Sequence, residues 1–212
     1  ETGRWLYAIE ADHVAENVDR REGRFPGMSW TDSLGNMRTL DRWREAIGME
    51  YDAEKPTALT RPVHGRPLVR KPDHRMRYSR VPDVAKEVSR VVMGSVAFHD
   101  VRFAALICDD FFELGGNCFE TARRYGAAES FLGHWVQSRD VREEIVIITK
   151  GAQTPDCYPD KVTEELIESL ERLRTEYVDI YFLHRDNPDV PVGEFIDVLN
   201  EHKDAGRISV FG

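Results

Sequence analysis

The chain has 212 residues, of which 41% are apolar and 32% charged, and Gly and Pro together occupy 25 positions. Those proportions suit one large or two small globular domains and exclude a disordered, collagen-like or disulfide-stapled chain. A formal net charge of −9 argues against nonspecific attraction to nucleic acid or an anionic membrane surface. The longest branched-aliphatic run, Ile145-Val146-Ile147-Ile148, falls far short of the ~20 apolar residues of a membrane helix.

Cys108, Cys118 and Cys157 lie 10 and 39 residues apart, which matches neither a zinc site nor a CxxC pair. So sparse and odd a set fits a reducing cytoplasm. The start at Glu1 carries no basic and apolar regions of a signal peptide. The last residues, Ile208 to Phe211, read as a β-strand, so both edges look cut.

In chain order, residues 1–52 hold three of the four tryptophans (Trp5, Trp30, Trp43). Leu40, Trp43 and Ile47 share one helical face, which predicts a helix over Asn36–Gly48 ended by Gly48. Residues 53–80 hold Pro56, Pro62, Pro67 and Pro72, with eight Lys/Arg against two acids. Proline removes backbone donors and restricts its neighbours, so an extended linker is expected there. Its basic charge suits either a solvated tether or a docking surface for something acidic.

From about residue 88 strand and helix patterns alternate. Apolar runs begin near Val91, Asn117, Glu144, Val178 and Ile208, with starts 26, 27, 34 and 30 residues apart, close to the length of a βα repeat. They are rich in Val and Ile and lack polar alternation, as buried parallel strands do. Four helical stripes lie between them. The first is Phe103, Leu106, Ile107, Phe111 and Leu114, closed by Gly115. The second is Phe131, Leu132, Trp135 and Val136. The third, Val162, Leu166, Leu170 and Leu173, has Glu164 and Glu165 near its positive end; the fourth, Phe195, Val198, Leu199 and His202, is closed by Gly206. Each stripe is expected to pack on a sheet. Unbroken strand–helix repetition implies a parallel sheet. No GxGxxG follows the first strand, so an α/β barrel is favoured over a doubly wound nucleotide fold.

Catalytic groups of such barrels stand at the C-terminal ends of strands. Here those ends carry Glu120 and Tyr125, then Lys150, then His184. Singly, each has an ordinary structural explanation. Together, a carboxylate, a phenol, an ammonium and an imidazole at three successive strand ends suggest acid–base chemistry.

The run Gly116-Asn117-Cys118-Phe119-Glu120-Thr121-Ala122-Arg123-Arg124-Tyr125-Gly126, followed by Glu129, Leu132 and Gly133, resembles the aldo-keto reductases. So do Ile148-Thr149-Lys150, Ser169 to Leu173 with Tyr177 to Tyr181, and Leu183-His184-Arg185-Asp186; residues 76–90 resemble the hairpin that plugs the bottom of that barrel. The resemblance implies the first five strands of a (β/α)8 barrel over residues 76–212, behind a Pro/Arg-rich linker at 53–75. It also implies reduction of a carbonyl to an alcohol with NADP(H), NAD(H) not being excluded, on a small-molecule carbonyl or alcohol substrate. Tyr125 would donate the proton, Lys150 would favour the phenolate, His184 would orient the carbonyl and a carboxylate would hold Lys150. Gly94 and Ser95 match a position that approaches the cofactor. No metal is implied.

Glu120 stands where the family has aspartate. The extra methylene moves the carboxylate by on the order of 1 Å, a displacement that can cost ~100-fold in rate. Either Glu120 still reaches Lys150 or it crowds the nicotinamide site. A family barrel has eight strands and five are readable, so an incomplete and inactive fragment is expected, marginally stable and prone to self-association through the open barrel edge. The alternative is a non-catalytic barrel used for partner binding or cofactor sensing.

Gly27 to Trp30 followed by Asp32 to Arg44 resembles the closing region of Gfo/Idh/MocA-type dehydrogenases, which makes residues 1–52 the expected tail of such a domain. The tripeptide Glu54-Lys55-Pro56 also marks a catalytic lysine in those dehydrogenases. Here it follows Tyr51-Asp52-Ala53 rather than an apolar strand, so it is read as linker.

Overall fold

The computed structural model describes residues 6–51, 62 and 66–212. Trp5, Glu54-Lys55-Pro56 and much of the Pro/Arg-rich segment lie outside the described residues. The chain divides into two units, Glu1–Asp52 and Ala53–Gly212.

The first unit holds two helices, α1 (Leu6–Asn17) and α2 (Trp30–Ala46). Helix α2 begins six residues before the expected Asn36, because Ser29 and Asp32 form a capping box. The Asp32 N–H donates to Ser29 Oγ at 3.1 Å and the Ser29 N–H to the Asp32 carboxylate at 3.0 Å. Cap chemistry fixed that start, while the Leu40/Trp43/Ile47 stripe marks only the later turns. Gly48, at φ +62°, follows the helix in the left-handed region. No residue of α2 is buried.

The second unit opens with a hairpin, β1 (Tyr78–Ser79) and β2 (Val88–Ser89), paired antiparallel with Tyr78 opposite Ser89. Then come β3 (Val92–Gly94), α3 (Val101–Glu113), β4 (Cys118–Glu120), α4 (Ala128–Arg139), β5 (Val146–Gly151), α5 (Pro159–Leu173), β6 (Val178–Leu183), α6 (Val192–Asp204) and β7 (Ile208–Phe211). The five strands β3 to β7 form one sheet in sequential order, every pair parallel. A doubly wound sheet reverses its order at a switch point and this one does not, so the α/β architecture is that of a partial barrel.

Local signals place the helices. Asp100 caps α3 by accepting from the Arg102 and Phe103 N–H groups, and Gly115 lies just beyond its end at φ +90°. Pro159 opens α5, where its missing N–H costs nothing. The helix stripes pack on the sheet largely as expected, through Leu132, Trp135, Leu166, Leu173, Phe195 and Leu199. In α3 the buried face is rotated. Leu106 and Leu114 point outward, while Ala104, Ala105, Cys108, Phe111 and Phe112 face the core. Small residues let the helix axis approach the sheet closely, and that outweighs the bulkier stripe. Glu165 also departs from its expected place on the dipole: it is buried, and its carboxylate accepts the Ala152 N–H at 2.6 Å.

A smaller cluster occupies the opposite face of the sheet, joining Val84 and Val88 of the hairpin region to Cys118, Val146 and Ile180. Asp179, 2% exposed, fastens this end. It accepts the Ile147 N–H at 2.9 Å and pairs with Lys86 and Arg142, each at 2.9 Å. Burial pulls the Lys86 ammonium down from its ordinary value, against the opposing pull of Asp179. Arg70 and Lys71 are strapped onto this unit, while Lys71 to Asp73 keep exposed side chains. The Arg70 guanidinium lies 4.5 Å from the Phe112 ring centroid and donates to the Glu144 carbonyl, and the Lys71 N–H donates to the Glu113 carbonyl at 2.8 Å.

Candidate active site

Strand periodicity decides which residues share the hairpin-side face of the sheet. Cys118 lies on that face, so Glu120 does too; Val146 and Ile148 carry it to Lys150, and Ile180 carries it towards His184. Register then sets the height, with Gly94 opposite Glu120, Glu120 opposite Ile148, and Lys150 opposite Phe182. The C-terminal ends of β4, β5 and β6 thus bring Glu120, Lys150 and His184 together. The turn after β4 returns Tyr125 to them.

Lys150 is the hub. Its Nζ pairs with the Glu120 carboxylate, donates to the Thr121 carbonyl at 2.8 Å and reaches the Tyr125 hydroxyl at 3.3 Å. The same hydroxyl lies 3.3 Å from Glu120 Oε1, within donating reach. The Tyr125 and His184 rings meet edge to face, with centroids 5.9 Å apart at 83°. All four residues predicted from the sequence therefore converge. Of the two expectations for Glu120, reach to Lys150 is met, and the longer side chain touches Tyr125 as well.

Burial pulls the Lys150 ammonium down to about 8. Burial likewise lowers His184, reinforced by the charges of Lys150, Arg185 and Arg124, so the imidazole is neutral around pH 7. His184 Nδ1 is buried with no hydrogen-bond partner.

Gly94 and Ser95 border this group. A methyl placed on Gly94 would sit 3.4 Å from Glu120 Oε2, an ordinary contact, so Gly94 lies directly beside that carboxylate. Ser95 is 1% exposed and its Oγ has no partner, while its N–H donates to the Glu120 carbonyl at 2.9 Å. The unpartnered His184 Nδ1, in a ring that meets the Tyr125 ring, fits a polar ligand such as a carbonyl oxygen. Among the described residues no cluster of His, Cys, Asp or Glu could hold a metal ion.

Several supports escape a sequence reading. The Thr121 carbonyl on Lys150 has no side-chain signature. Thr149, beside Lys150, donates to buried Glu129 at 2.7 Å, and Arg172 lies 3.7 Å from the same carboxylate. Burial raises Glu129 above the usual carboxylate range despite those partners. The loop that carries Tyr125 is tied down on both flanks, by Arg123 to Glu168 of α5 at 2.5 Å and by Arg124 to Asp156 at 3.0 Å. Glu129 belongs to the motif that carries the resemblance, which was the one available signal.

A sequential parallel sheet of five strands, with a carboxylate, a phenol, an ammonium and an imidazole gathered at its strand ends, defines the class, a partial α/β barrel. The chain belongs to the aldo/keto reductase family, whose model matches residues 90–212. That family is one of oxidoreductases. Norsolorinic acid reductase B of Dothistroma septosporum is 30% identical over 166 residues, covering 66% of this chain and 42% of the relative. Aldo-keto reductase YhdN of Bacillus subtilis is 28% identical, covering 65% and 46%. The solved structure of aldo-keto reductase AKR11C1 from Bacillus halodurans in its holo form superimposes with a TM-score of 0.58 at 30% identity, over 65% of this chain and 49% of that one. The chain thus spans about half the length of the relatives it matches. Among the described residues no helix is long and apolar enough to cross a membrane.

Proposed function

We propose that this chain carries the proton-donating part of a carbonyl-reducing site that works with NADP(H), or alternatively NAD(H), and converts a small aldehyde or ketone to an alcohol. The observation that carries the reading is the convergence of Tyr125, Lys150, Glu120 and His184 at adjacent strand ends.

A bound reduced nicotinamide supplies hydride. Neutral His184 fixes the carbonyl oxygen by hydrogen bonding, near enough to Tyr125 for proton transfer. Tyr125 gives its hydroxyl proton to that oxygen, and Lys150 stabilises the phenolate left behind by charge and hydrogen bond. Glu120 and the Thr121 carbonyl hold Lys150 in place. Gly94 and Ser95 are the positions assigned to the cofactor. Because the relatives are about twice as long, the reading includes a chain that does not turn over alone and self-associates through its open sheet edges. Residues 1–52 are taken as the tail of a Gfo/Idh/MocA-type domain and 53–75 as the linker, in a reducing cytoplasm.

The test is NADPH-dependent aldehyde reduction by this chain continued with the second half of a relative. Turnover lost in Tyr125→Phe by at least ~100-fold, with NADPH binding unchanged, is the expected result. Turnover equal in the variant would refute the proton-donor role.

A second reading, a non-catalytic barrel that senses the cofactor or binds a partner, draws on Glu120, which engages the Tyr125 hydroxyl and fills the space beside Gly94. Under it the continued chain binds NADPH without turnover, and Glu120→Asp, by clearing that space, raises turnover; no change in that variant would remove the ground for this reading.

A further inference from the structure

At the far end of the barrel from Tyr125, the hairpin bounds a cavity of about 570 Å³ lined by Arg75, Arg77, Arg90, Met76, Val91 and Leu114. Its charge is one-sided. None of the three arginine side chains has a hydrogen bond or ion pair among the described residues, although the chain holds 38 acids against 29 Lys and Arg.

The geometry makes this costly. With Tyr78 opposite Ser89, the register places Arg77 opposite Arg90, and the Arg90 N–H donates to the Arg77 carbonyl at 2.8 Å. Side chains directly opposite in an antiparallel pair stand ~5 Å apart at Cβ, and like charges there are destabilising. Arg75, two residues before Arg77, brings a third cation to the same cavity. Solvent-exposed arginines normally splay towards carboxylates; here the lining supplies none. The other walls are apolar and open, with Val91 56% and Leu114 45% exposed.

We propose that this cavity is a binding site for a small organic anion with a phosphate-like or carboxylate head and an apolar body. The guanidinium forks match a planar or tetrahedral oxyanion and would take up its charge. Met76, Val91 and Leu114 would cover the body, and the volume lies within the range of small-molecule sites. Phosphate and carboxylate heads share this chemistry, and the probes separate them. The inference is independent of the carbonyl-reducing reading, because no residue of the cavity belongs to that site.

The test uses this chain as it stands. Phenyl phosphate, benzoate, inorganic phosphate and phenol are titrated calorimetrically at 50 and 300 mM NaCl, alongside Arg77→Gln, Arg90→Gln and the double variant. Expected are binding of phenyl phosphate or benzoate that weakens as salt rises, and at least tenfold loss of affinity in each single variant. Because glutamine removes the cross-strand repulsion, each variant should also melt at or above the parent without ligand, which a purely structural arginine would not do. Equal binding of inorganic phosphate and phenyl phosphate would mean an adventitious ion only and overturn the proposal. Unchanged affinity in the variants would overturn it too, as would tighter capture of an acidic peptide than of either aromatic anion, since that would make the surface a protein-docking site.

Discussion

If burial dominates at Lys150, the protein pays for keeping it charged, and that cost has a definite dependence on pH. Its ammonium titrates at about 8 in the folded chain against an ordinary 10.5. A lysine lowered in this way is protonated more readily when unfolded. Between pH 8 and 10.5 the unfolded state therefore binds more protons, and stability rises with pH across that window. Below pH 8 the full penalty applies, and above 10.5 it is gone. At 1.36 kcal/mol per pH unit the ceiling is ~3 kcal/mol. The side chain keeps 18% of its exposure, so water screening reduces this towards ~1–2 kcal/mol. The assay is urea unfolding of the parent and of Lys150→Met at pH 7, 8, 9, 10 and 11. The variant lacks the group, so the difference between the two curves isolates it from tyrosines and other lysines titrating nearby. Lys150→Met should gain relative stability below pH 8 and lose that advantage by pH 10.5. A difference that stays flat, or that favours the parent at neutral pH, would show the Glu120 ion pair outweighing burial and refute the reasoning.

Other expectations follow from burial and packing. Asp109 accepts from Trp135 Nε1 at 2.8 Å and pairs with Arg139 at 2.9 Å, both side chains almost wholly buried. Asp109→Asn should cost ~3–5 kcal/mol by stranding the guanidinium, seen as a fall in Tm on the order of 10 °C; a change under 1 kcal/mol would mean water reaches the pair. Gly133 of α4 packs so closely on the end of α5 that an added Cβ would lie 2.6 Å from the Leu173 carbonyl carbon. Gly133→Ala should therefore destabilise by ~1–3 kcal/mol in urea unfolding, and neutrality would show that the helices can part freely. An isolated monomer of this chain should melt broadly at low temperature, since sheet edges at β3 and β7 stay unpaired. A sharp, high transition by calorimetry would contradict that.

The barrel segment was legible because its strands are short Val/Ile runs set a βα repeat apart, and all five appear in sequence order. Helix faces were read less finely. Bulk drew the α3 stripe through Leu106 and Leu114, whereas closeness of approach selected Ala104, Ala105 and Cys108. Helix α1 carries its apolar residues without a strong helical stripe, so periodicity did not reveal it, and α2 was misplaced because a capping box rather than apolar spacing sets its start. Tyr125, Lys150 and His184 could be found because strand ends are identifiable from strand runs. The Thr121 carbonyl, the Glu129–Thr149 contact and the Arg123–Glu168 tie depend on how the chain returns on itself, which spacing does not encode.

The central claim is that Tyr125 hands a proton to a substrate carbonyl beside Lys150. Its most direct test follows NADPH consumption and alcohol formation together in the continued chain, parent against Tyr125→Phe, with NADPH titrated on both. The account predicts matched consumption and alcohol in the parent, equal binding in both, and at least ~100-fold less product in the variant. Binding without alcohol in the parent, or undiminished alcohol in the variant, would contradict it.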